Sequence, residues 1–170
     1  MRAFSYLSGL MLTAMLALPL TTAYAAPPAT GSFPIEDQIQ VFEPESSICG
    51  FPISATIHGR GRFQVFFDAQ GNATKVHIIT VTSGELSANG ITLRTRSAHN
   101  EFFSEGTFVE TGIVFQYSLP GTGVVLMDRG RLVWNIDPAT GEMVGEPLFE
   151  AGPHPFLHGD VQGLCPALTP

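Results

Sequence analysis

The sequence predicts an all-β fold: a single antiparallel β-barrel of seven or eight strands, with a β-sandwich as the alternative and a short helix at the C-terminus. Three observations predict it. Apolar and polar residues alternate with period two over several runs, the pattern of strands with one covered face. Turn signals built on Gly, Asn, Asp and Pro recur roughly every 8 to 15 residues. The chain of 170 residues is 14% charged and 44% hydrophobic, with 18 Gly and 13 Pro, which argues against disorder, coiled coil and long exposed helices. A barrel is preferred to a sandwich because closure removes exposed sheet edges and glycines bend the first strand.

Residues 1–25 read as an export signal. Arg2 supplies the positive start, Leu7 to Leu20 form a short apolar stretch interrupted by Pro19, and Ala23-Tyr24-Ala25 is a small-x-small cleavage site, with cleavage expected after Ala25. A retained membrane anchor is the rival reading, but the run is short of the roughly 20 residues a span needs. Residues 26–47 are expected to form an N-terminal linker or extended segment, and 48–170 the β domain. The product is expected to be secreted or extracytoplasmic, with no membrane span.

Within the domain, Ile53 to Asp68 alternates, with Ile53, Ala55, Ile57, Phe63, Val65 and Phe67 on one side and Ser54, Thr56, His58, Arg60, Arg62 and Gln64 on the other. The run is longer than an ordinary strand, so Gly59 and Gly61 are expected to mark a bend. Asp68–Asn72 is a turn and Ala73 to Thr82, rich in β-branched residues, the returning strand. Asn89-Gly90 is a hairpin signal leading into Ile91 to Ser97. Glu105-Gly106 turns the chain again before the alternating strand ending at Leu119. Val124 to Met127 and Leu132 to Ile136 flank Asp128-Arg-Gly-Arg131 and predict a hairpin with a charged tip. Met143 to Ala151 offers a last strand, and only Gly159 to Leu168 can be helical, for about two turns.

Cys49 and Cys165 stand near the two ends of the exported part, with no second Cys or His at ligand spacing beside either, so a disulfide between them is expected. Of the eight basic residues only Arg2 lies in the signal, leaving seven against 15 acidic ones, a formal charge of −8. Such a surface is ill suited to nucleic acid.

Three stretches, Ile48-Cys-Gly-Phe-Pro-Ile53, Leu119-Pro-Gly-Thr-Gly-Val-Val-Leu-Met-Asp-Arg-Gly-Arg-Leu132, and Glu150-Ala-Gly-Pro-His-Pro-Phe156 followed by Leu164-Cys165, resemble a group of small secreted actinobacterial β proteins. The resemblance implies an exported bacterial protein with one β domain and carries over no catalytic residues. In shape such a barrel is similar to those of allene oxide cyclases and dirigent proteins, whose motifs do not occur here.

The candidate chemistry is sparse. His58, Arg60, Arg62, Arg94 and Arg96 form a positive patch for a carboxylate or phosphate if their strands are adjacent; the plainer reading is a solvated strand face. His77 shares a strand face with Ile79 and Val81 and, if inward, is a candidate base or hydrogen-bond donor. Phe115, Tyr117 and Trp134 are candidate walls of an apolar cavity, or simply packing. His154, His158 and Asp160 are loosely spaced like metal ligands, but Pro153 and Pro155 bracket the first of them, so no metal is expected, and no cofactor motif is present. The leading expectation is a secreted protein that binds a small apolar or amphipathic ligand, its anionic group, where it has one, meeting the arginines. A cofactor-free isomerase or cyclase and a cell-envelope interaction protein that forms a homodimer are the alternatives. The sequence leans against an enzyme.

Overall fold

The computed structural model describes residues 26–44, 47–137 and 139–170. The expected signal and its cleavage after Ala25 lie outside the described residues. Seven strands follow one another: β1 (Ala29–Phe42), β2 (Ile53–Phe67), β3 (Ala73–Ala88), β4 (Ile91–Ser104), β5 (Thr107–Leu119), β6 (Gly123–Ile136) and β7 (Met143–Ala151), before a single helical turn, α1 (Leu164–Ala167). They form one antiparallel sheet in chain order from β1 to β7, so each strand pairs with the one before it. The all-β class and the near absence of helix are as the alternation implies.

Among the described residues the sheet is not closed into a barrel; β1 and β7 are its edges. Both edges contain a proline, Pro34 and Pro147, which cannot donate to a ladder and suits an edge position. The N-terminal extended segment thus contributes a strand, paired with β2 from Ala29↔Val65 to Phe42↔Ile53.

Cross-strand register sorts the side chains into two faces. Ala55, Leu86 and Leu93 are successive partners across β2, β3 and β4, and all three are buried, which defines the inner face. The alternate row of β3, which includes Ile79 and Val81, stands exposed on the outer face. Gly59 and Gly61 lie on the inner face. A Cβ at Gly59 would collide with the Val81 carbonyl oxygen, and at Gly61 with the Phe33 ring, while Phe63 covers Gly31 in return. Glycine here permits close strand approach, and the β1–β2 register shifts next to it, between Ile35 and Gln38.

One expected turn is absent. Asp128–Arg131 is not a hairpin tip; it lies mid-strand in β6, which runs unbroken from Gly123 to Ile136. The charged tetrad looks turn-like in sequence, but Asp128 is buried against His154, and Gly130, at φ 139, lets the chain pass beneath the Ala151 carbonyl. The C-terminal helix is also shorter than expected.

The core gathers at one end of the inner face. Ile53, Ala55, Leu86, Ala88, Leu93 and Leu126 pack against Leu164 and Leu168 from the chain beyond β7. Two ties hold this cap down: the Cys49–Cys165 disulfide, which spans 116 residues, and a hydrogen bond from Asn89 Nδ2 to the Leu168 carbonyl at 3.0 Å. The disulfide fits an oxidising, extracytoplasmic setting. Among the described residues no helix is long and apolar enough to cross a membrane.

Candidate functional site

Where the cap meets the inner face it leaves a cavity of about 210 Å³, lined by Phe42, Ser47, Ile48, Ile53, Leu86, Tyr117, Phe156 and Leu164. The sequence produces it by alternation: Ile53, Leu86 and Tyr117 each fall on the covered face of a different strand. Ile48 and Leu164 are immediate neighbours of the two bridged cysteines, so the disulfide holds two of the cavity walls together. Phe115, Tyr117 and Phe156 form an aromatic group at its side, with Tyr117 and Phe156 ring centroids 5.9 Å apart and Phe115 and Phe156 meeting edge-on at 5.4 Å. Trp134 lies elsewhere on the inner face, opposite Phe108, away from this cavity.

Among the described residues, Tyr117 is the only titratable side chain lining the cavity. Burial pushes its pKa up to about 12, reinforced by the negative charge of Asp128. The phenol is therefore protonated at any physiological pH and serves as a hydrogen-bond donor.

Behind Tyr117 the inner face turns polar. Asp128 Oδ1 lies 2.9 Å from His154 Nδ1, both side chains nearly solvent-free, and Asp128 Oδ2 accepts from the Phe156 N–H at 3.3 Å. This pair joins the 119–132 and 150–156 stretches and pairs His154 with Asp128 in place of the loose set with His158 and Asp160. His158 turns away to Glu150 at 2.7 Å. Next along the face come Ser97, His99, Glu101 and Glu110. Ser97 Oγ is 2.7 Å from His99 Nδ1, while His99 Nε2 faces Glu101 Oε1 at 3.6 Å and Glu110 Oε1 at 3.9 Å. Burial raises the Glu110 pKa above the ordinary carboxyl range; nearby His99 opposes the shift, and the charges of Glu101 and Asp128 add to it.

The arginines are placed differently. Arg60, Arg62, Arg94 and Arg96 are all exposed on the outer face, with β3 between the two pairs, and β2 and β4 are about 10 Å apart, two strand spacings. Through Ser83, His58 is level with Arg96, and it is also engaged by Asp37 at 3.3 Å. Outer face and cavity lie on opposite sides of the sheet, so a small ligand seated in the cavity does not touch this patch. His77 also stands on the outer face, contrary to the inward placement considered from its strand pattern: it stacks on Phe102 with centroids 4.2 Å apart and pairs with Asn100 at 3.1 Å. Inward on β3 are Val76, Ile78 and Thr80 instead, one residue out of phase.

The sequence assigns His99 no role and groups His154 only loosely with His158 and Asp160. Ser97 and Glu101 share β4 with His99, but Glu110 and Asp128 come from other strands, where no sequence spacing reveals them. The comparisons with known proteins close on a negative: no family model matches the chain, and no curated protein or solved structure matches it.

Proposed function

We propose that the protein acts outside the cytoplasm, after removal of residues 1–25, by binding a small apolar or amphipathic ligand in the cavity beneath the C-terminal cap. The apolar lining of that cavity carries the reading. Its volume exceeds the roughly 150 Å³ known to hold benzene in an apolar protein interior, and falls below the roughly 300 to 1,000 Å³ of sites for drug-sized ligands. A single ring or a short alkyl chain fits, with its polar end at the Tyr117 hydroxyl. In this reading the coiled sheet acts as the wall of a barrel, and the chain is kin to the secreted actinobacterial β proteins whose motifs it resembles. Binding is favoured over proton-transfer catalysis because, among the described residues, the one titratable lining group is a phenol held protonated, which donates a hydrogen bond but is no base at neutral pH.

The test is a methyl NMR titration of the exported, oxidised protein with hexanoate and with benzyl alcohol, alongside native mass spectrometry for a retained compound. Saturable shifts confined to Ile53, Leu86 and Leu164, with a dissociation constant of about 1 mM or tighter and loss in Leu86→Trp, support the proposal. Absence of such shifts for both probes, together with a clean apo mass, overturns it.

The homodimer is a second reading, favoured by the apolar residues exposed on the edge strands: Ile39 and Val41 on β1, and Met143, Val144, Leu148 and Phe149 on β7. Unpaired edges carrying apolar side chains pair readily with another chain. Light scattering showing a dimer that Val41→Lys or Val144→Lys splits supports this reading; a monomer at all concentrations overturns it.

A further inference from the structure

We propose that His99, Glu101 and Glu110 form a binding site for a divalent transition-metal cation of the zinc type. Glu101 and Glu110 are direct cross-strand partners of β4 and β5 on the inner face, and like charges placed opposite one another destabilise a sheet unless something neutralises them. No arginine or lysine does so. All seven basic residues of the described chain, Arg60, Arg62, Lys75, Arg94, Arg96, Arg129 and Arg131, fall on the outer face by register.

Among the described residues, the group facing both carboxylates is the His99 imidazole, and its hydrogen bonding sets which nitrogen is free. The Ser97 hydroxyl donates to the Ile113 carbonyl at 3.2 Å, so its oxygen accepts from the Nδ1–H of His99 at 2.7 Å. That tautomer leaves a lone pair on Nε2, aimed at Glu101 and Glu110. With the ring neutral, three ligand atoms then converge, all within 4.8 Å of one another. The gaps of 3.6 and 3.9 Å are too long for hydrogen bonds. They come within a few tenths of an ångström of the roughly 3.4 Å separating two ligands of a tetrahedral ion with bonds near 2.1 Å. One imidazole and two carboxylates suit zinc and its first-row neighbours, and the Ser97 oxygen takes the outer-partner place that a carboxylate, backbone carbonyl or water ordinarily fills beside a metal-bound histidine. Three protein ligands leave the fourth position to water. The site lies on the same face as the apolar cavity but uses none of its lining residues, so it stands whether or not the cavity binds a ligand.

Isothermal titration of the EDTA-dialysed, oxidised protein with Zn²⁺ tests this, with Co²⁺ and its visible absorption as a report of coordination. One equivalent is expected to bind, tenfold or more weakly in Glu101→Gln and Glu110→Gln and about 10- to 100-fold more weakly in Ser97→Ala, while the metal-free variants keep the parent's far-UV circular dichroism. Both Glu variants remove a like-charge opposition, so they are expected to fold at least as well as the parent without metal. Failure of the parent to bind, or binding that survives in both Glu variants, overturns the assignment; the latter outcome would place the ion on surface groups such as His58 with Asp37.

Discussion

Loss of the Cys49–Cys165 bridge is expected to cost the protein much of its stability. The bridge closes a loop of 116 residues, and in the chain-entropy model such a loop contributes roughly 4 to 5 kcal/mol through restriction of the unfolded chain. The native side adds to this. The cap it anchors buries Leu164 and Leu168 to 1% and 0% exposure, and the Asn89 side chain also holds its end through the Leu168 carbonyl. For a domain of this size the loss corresponds to a fall in Tm of about 10 to 20 °C. The comparison is urea unfolding of the parent and of the Cys49→Ala/Cys165→Ala variant, followed by the fluorescence of Trp134, the only tryptophan. Amide exchange over 161–169 would be read in parallel, with faster exchange expected there than in β3 or β4. Midpoints equivalent to less than about 1 kcal/mol apart, with unchanged exchange in the cap, would refute the idea that the bridge and the cap act together.

Three further outcomes follow from the same geometry. Leu93→Ala, at a fully buried position on β4, should destabilise by about 2 to 5 kcal/mol in the same assay, through lost burial and the cavity left behind. Asp128→Ala, which leaves His154 and the Phe156 N–H without their buried acceptor, should cost about 3 kcal/mol, and the loss should vanish into that of Asp128→Ala/His154→Ala if the two act as a pair. Tyr117 is the only tyrosine beyond residue 25, so alkaline absorbance titration of the signal-free chain reads it alone; ionisation is expected near pH 12, and a midpoint at 10 would show the phenol to be solvated. Because the folded pKa is raised, the folded state holds this proton more tightly than the unfolded one. Its contribution is intact below about pH 10 and is lost as pH climbs through about 12.

Much of the fold is legible residue by residue. The span of β2 comes from alternation and that of β7 from its flanking turn residues, and Asn89-Gly90 and Glu105-Gly106 adopt the positive φ angles their hairpins need. β6 is misread because a charged, glycine-containing tetrad has the composition of a turn, and only the docking of the 150–156 stretch against it makes Asp128 a buried strand residue. The phase of β3 misleads in another way: His77 sits among apolar residues in sequence, yet its row is the exposed one, because register against β2 and β4 decides which row is covered.

Local chemistry therefore determined what is local: strand periodicity, turn sites, an all-β class, and two cysteines suited to a bridge across the chain. The cavity, the Asp128–His154 pair and the His99–Glu101–Glu110 group came only from tertiary structure. Each is assembled from strands or segments brought together by cross-strand register and by the docking of the cap, and neither of those is encoded in the spacing of residues along the chain.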